Sequence, residues 1–91
     1  MNNMENKYYE LLNLLENNGY ATSLFEEYVD DIVIESAIMR NKDYFINISP
    51  IENYIEIAID CENEGEYEVI EIKKYKNVKS AFNYIKKHME E

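Results

Sequence analysis

The stretch Tyr54-Ile55-Glu56-Ile57-Ala58-Ile59-Asp60 decides the fold. Ile55, Ile57 and Ile59 share one parity, while Tyr54, Glu56, Ala58 and Asp60 share the other. That period of two places alternate side chains on opposite faces of a β-strand. One face is apolar and the other mixed, which describes a strand in a sheet covered on one side. Glu62-Asn63-Glu64-Gly65 follows as a hairpin loop, with Gly65 suited to a left-handed position. Glu66–Lys74 returns as the partner strand, its parity blurred around Val69-Ile70. Cys61 lies on the isoleucine parity and reads as a small core-filling hydrophobe.

Upstream of this hairpin the period of two persists. Tyr44, Ile46 and Ile48 alternate with Phe45 and Asn47, and Ser49-Pro50 reads as the break that ends this strand. Before the turn Arg40-Asn41-Lys42-Asp43, Ile32, Ile34 and Ile38 alternate with Val33, Glu35 and Ala37. Further out the period becomes helical. Met4, Tyr8, Leu11, Leu12 and Leu15 form one stripe, ended by Asn17-Asn18-Gly19. Ser23 and Glu26 have capping-box spacing and predict a short second helix carrying Leu24, Phe25, Tyr28 and Val29, although an extended reading of Thr22–Asp30 also fits. At the other end Asn77 caps a helix whose stripe is Val78, Ala81, Phe82, Ile85 and Met89. All five leucines precede Tyr28 and all twelve isoleucines follow it, matching the preference of leucine for helices and isoleucine for strands. The expectation is one α+β domain over residues 1–91. An N-terminal helix, an antiparallel meander of about four strands and a C-terminal helix pack with both helices on one sheet face.

Composition narrows the function. The chain has 91 residues, 46% apolar and 31% charged, with net charge −10. Such a chain folds, but a surface this acidic repels free nucleic acid and anionic membranes. One cysteine excludes a disulfide framework. The first residues lack the charged and apolar regions of a signal peptide, and no apolar run is long enough to span a bilayer, so the expected location is cytoplasmic. Two glycines cannot build a phosphate-cradling loop, and one Cys with one His are too few for zinc. His88 falls on the polar side of the last helix, with no nucleophile placed beside it. Asp60, Glu62, Glu64, Gly65 and Glu71 match positions of a calcium-loop template, but strand flanks and glutamates at the short-ligand positions argue against it. No cofactor and no catalytic residue are expected.

The remaining signal is charge geography. Residues 1–72 carry 17 acids and three bases, whereas residues 73–91 carry six bases and two acids. Glu26, Glu27, Asp30, Asp31 and Glu35 make one acidic group. A second runs from Glu52 to Glu71, with eight acids and no base. Like charges on adjacent strands repel, so a sequence needing only solubility would intersperse lysines. Alternate strand positions lie about 6.8 Å apart, close to the spacing of phosphates on a nucleic-acid backbone. Glu56, Asp60, Glu62, Glu64, Glu66 and Glu68, with Tyr54 and Tyr67 as aromatic anchors, are therefore the candidate partner-binding residues. The partner they fit is a basic nucleic-acid-handling protein. An alternative is a homo-oligomer in which the basic last helix of one copy meets the acidic sheet of another.

With its N-terminal helix, compact meander, acidic hairpin Asp60-Cys61-Glu62-Asn63-Glu64-Gly65-Glu66-Tyr67-Glu68 and final helix containing Val78-Lys79-Ser80-Ala81-Phe82, the chain resembles small acidic phage-encoded anti-CRISPR and anti-defence proteins. The resemblance implies a non-enzymatic inhibitor acting in the host cytoplasm, its acidic surface occupying the nucleic-acid groove of a Cas effector. An immunity protein or antitoxin that neutralises a nuclease toxin is the neighbouring reading.

Overall fold

The computed structural model describes residues 3–42 and 44–90, apart from the side chains of Asn3, Glu27 and Val29. Asp43, the last residue of the turn expected at 40–43, lies outside the described residues. Helix α1 spans Asn3–Asn17. Five strands follow: β1 Ser23–Val29, β2 Ile32–Asn41, β3 Tyr44–Ile51, β4 Tyr54–Asn63 and β5 Glu66–Tyr75. Helix α2, Val78–Met89, is the last element among the described residues. The strands form one antiparallel sheet in sequential order. No helix among the described residues is long and apolar enough to cross a membrane.

Tight turns make this meander possible. The pairs Val29↔Ile32, Ile51↔Tyr54 and Asn63↔Glu66 each close a two-residue loop. Asp30 and Asp31 both have positive φ, as do Glu64 and Gly65. That combination is the type I′ geometry whose twist matches antiparallel strands. Helix α1 ends in a Schellman motif: Gly19 N–H donates to the Glu16 carbonyl and Tyr20 N–H to the Leu15 carbonyl, both at 3.0 Å. Gly19, at φ +87°, supplies the left-handed residue the motif needs. At the start of α2, Asn77 Oδ1 accepts from Ser80 N–H at 3.0 Å, as its position predicted.

The core lies between the helices and one face of the sheet. Met4, Tyr8, Leu11, Leu12 and Leu15 of α1 join Ala81, Phe82 and Ile85 of α2. Against them pack Ala37 and Met39 of β2, Ile46 and Ile48 of β3, and Ile55, Ile57 and Ile59 of β4. The parity read from β4 therefore holds; the α1 stripe is buried throughout, and that of α2 is buried at Ala81, Phe82 and Ile85 and half-buried at Val78 and Met89.

Three expectations require correction. The sheet has five strands rather than about four, because Ser23–Val29 is strand β1 and not a short helix. Ser23 pairs with Ile38 and Glu26 with Glu35, so no capping box forms. The segment is held instead by its antiparallel pairing with β2, a partner that local spacing does not reveal. Secondly, Ser49-Pro50 does not end β3, which runs to Ile51. The described β2–β3 ladder stops at Ala37↔Ile48, so Pro50 is placed where it pairs with β4 alone and its missing N–H breaks no bond to β2. Finally, Ile34 and Ile38 of β2 point away from the helices, and the smaller Ala37 with Met39 fill the core beneath them.

Candidate functional site

Two helices cover only one face of the sheet, so the other lies open. Directly opposed residues share a face, and the register therefore assigns the open one. Arg40, Phe45, Asp60 and Val69 form one row across it. Ile38, Asn47, Ala58 and Ile72 form the next, followed by Phe25 opposite Ser36 and Ser49 opposite Glu56 and Lys74, the two serines being joined through their side chains.

Polar side chains on this face pair with one another. The Ser36 and Ser49 hydroxyls lie 2.7 Å apart and are buried. Asn47 Nδ2 donates to Asp60 Oδ2 at 2.7 Å, while Asp60 Oδ1 is buried without a hydrogen-bond partner among the described residues. Burial raises the Asp60 pKa, outweighing the Asn47 bond, which lowers it. A depression of about 260 Å³ lies over this pair, bounded by Phe25, Ser49, Ile51, Glu56 and Val69. Arg40 stacks on Phe45 at 5.2 Å from its centroid, and Phe45 meets Tyr67 edge-on at 5.5 Å. Lys74 and Lys76 approach the Tyr54 ring at 5.6 and 5.5 Å.

The expected partner-binding residues separate on this frame. Tyr54, Glu56, Asp60, Glu62 and Tyr67 belong to the open face. Glu66 and Glu68 lie opposite Asn63 and Cys61, on the helix side. Glu64 is in the turn between. No single face therefore carries all six acids, and Arg40 and Lys74 share the open face with three of them. What the structure brings together is the projecting end of the β4–β5 hairpin. Every residue from Glu62 to Ile70 is exposed, so this end extends beyond the helical layer, with Glu62 on one side, Glu66 and Glu68 on the other and Glu64 at the tip. Glu64, Glu66 and Glu68 make no ion pair among the described residues. A bulge at Ile70, between the pairs Ile59↔Glu71 and Asp60↔Val69, switches the parity of β5. It explains the blurred alternation in sequence and why counting from Lys74 places Glu66 and Glu68 on the wrong face.

Other candidates resolve simply. Asp60 and Glu71 occupy opposite faces of the hairpin, so the calcium-loop positions do not converge. Among the described residues no group of three or more His, Cys, Asp or Glu side chains forms a metal site. His88 is half-buried rather than fully on the surface. Its ring packs on Tyr84 at 4.6 Å, and its carbonyl accepts from Asn41 Nδ2 at 2.6 Å. Cys61 is half-buried on the helix side.

The Asp60 environment gives a pH prediction. A carboxyl whose folded pKa is raised above its ordinary 3.8 binds its proton more readily in the folded chain. Stability therefore falls as pH rises from 3.8 through the folded pKa. Asp60→Asn keeps an acceptor for Asn47 and removes the charge, so its melting temperature should exceed wild type at neutral pH. The advantage should vanish in acid, and melts at both pH values check it.

Compared with known proteins, the chain matches no family model, no curated protein and no solved structure, so the reading of this hairpin rests on its own chemistry.

Proposed function

We propose that this protein is a non-enzymatic inhibitor that inserts the β4–β5 hairpin into the basic nucleic-acid groove of another protein. The observation that carries the reading is the segment Glu62–Ile70, with every residue exposed, four glutamates and no cation. Acids on both sides of the hairpin and at its tip suit a groove with two basic walls better than a flat basic surface. Tyr67 and Phe45 supply an aromatic base beside them. The specific form is an anti-CRISPR or other anti-defence protein acting on a Cas effector. An immunity protein facing a nuclease toxin would use the same chemistry.

The test is displacement of a fluorescently labelled duplex from purified Cas effectors and basic nucleases. The protein should release the duplex at low salt and lose this ability as salt shortens the Debye length from about 10 Å at 0.1 M to about 3 Å at 1 M. A partner that binds this protein and its duplex together would overturn the reading.

A further inference from the structure

We propose that a second copy of this chain pairs with the outer edge of β5, antiparallel about a two-fold axis, joining the two sheets into one. β5 is the last strand of the sheet and is hydrogen-bonded only to β4. Unpaired edges are usually protected by charge or kept short. This edge is ten residues long and carries Tyr67, Val69, Ile70 and Ile72 at 65, 54, 54 and 51% exposure. Large exposed apolar side chains gathered at a sheet edge mark a contact surface; the β1–β2 end carries a second such group, Leu24, Tyr28, Ile32 and Val33.

The charges on the strand identify the occupant. Glu66 and Glu68 lie in its first half, Lys73 and Lys74 in its second, and Lys76 just beyond; Glu71, also in the second half, is paired with Lys73 of its own chain at 3.4 Å. An antiparallel copy reverses this order and sets acids against lysines. One register also keeps the faces matched. Glu68 opposes Lys73 of the second copy on the helix side. On the open face Val69 opposes Ile72, and Tyr67 opposes Lys74. Each pairing occurs twice about the axis, as two-fold symmetry requires, and each is of a favourable cross-strand type. At the axis Ile70 opposes Glu71 of the second copy, and the two Glu71 carboxylates there are each neutralised by Lys73 of their own chain. The opposite edge, β1, lacks this complementarity, because full antiparallel self-pairing sets Glu26 against Glu26 on a strand that carries no lysine or arginine to neutralise them. Glu62 and Glu64 stay outside the new interface, whereas Tyr67 and Glu68 enter it, so self-pairing and groove insertion compete for the β5 side of the hairpin.

The pairing needs no other protein, so its test stands apart from that of the inhibitor reading. Sedimentation equilibrium of the full chain should show a mass rising from one copy toward two as concentration increases. Glu68→Lys and Lys73→Glu should each hold the mass at one copy over the same range. Glu68→Lys/Lys73→Glu should restore the rise. Ile72→Lys, at an exposed position, should also abolish it, and circular dichroism melts verify that every variant is folded. A wild-type mass of one copy throughout, a dimer surviving either single reversal, or a folded double variant that fails to dimerise would overturn the proposal.

Discussion

Ile57→Asp should leave the chain unfolded at room temperature, whereas Glu56→Lys, one residue away, should leave it folded. Ile57 is fully buried between the sheet and the helices, in the same core as Phe82 and Ile85. Truncating such a side chain costs about 2–4 kcal/mol. An unpaired carboxylate in the same place adds several kcal/mol more, or forces itself to take up a proton. A domain of this size holds roughly 5–10 kcal/mol in total, so the substitution removes most or all of it. Glu56 sits on the open face, directly opposite Lys74. A lysine there meets a like charge, worth at most about 1 kcal/mol, and disturbs no core contact. Far-ultraviolet circular dichroism of the two variants checks the contrast. Two folded proteins, or two unfolded ones, would mean that the face assignment of β4 is wrong.

That assignment was legible because β4 is a central strand with one face fully covered. Burial enforces the alternation of Ile55, Ile57 and Ile59, and the same force writes the stripes of α1 and α2 into the sequence. Legibility fails where burial stops. β1 is an edge strand with Leu24 and Tyr28 exposed, so neither parity of Ser23–Val29 is purely apolar. A capping-box spacing then imitates a helix start, and only the pairing with β2 resolves it. In β2 the helix-side parity carries Ala37 and Met39, whereas Ile34 and Ile38 fall on the open face, so an alternation apolar on both parities does not say which set is buried. The candidate site shows the same division. The run of acids from Glu52 to Glu71 is plain in the sequence. Its distribution over two faces depends on one inserted residue, Ile70, whose effect on parity appears only in the register. The exposed apolar edge of β5 was hidden for a related reason: Val69, Ile70 and Ile72 have the composition of a buried strand.

Reversing three charges at the hairpin end should have the largest effect on binding. Glu62→Lys/Glu64→Lys/Glu66→Lys alters only exposed side chains on and beside the turn. In the free protein it relieves repulsion among neighbouring carboxylates, so thermal stability should hold or rise slightly. In a basic groove each reversal replaces an attraction by a repulsion. If each contact loses about 1.4 kcal/mol, affinity falls roughly tenfold per position and about a thousandfold for the three. Association should slow most, since complementary charge governs the encounter. Lys79→Glu/Lys87→Glu, two exposed lysines on α2, is the matched control and should change affinity much less. Surface plasmon resonance against the effector or nuclease whose duplex is released measures both rate constants for each variant. The reverse ranking would move the working surface to the basic helix and end the groove-insertion reading. Equal, undiminished binding by both variants would instead place the contact on the apolar open face around Phe45 and Tyr67, with the acids serving solubility alone.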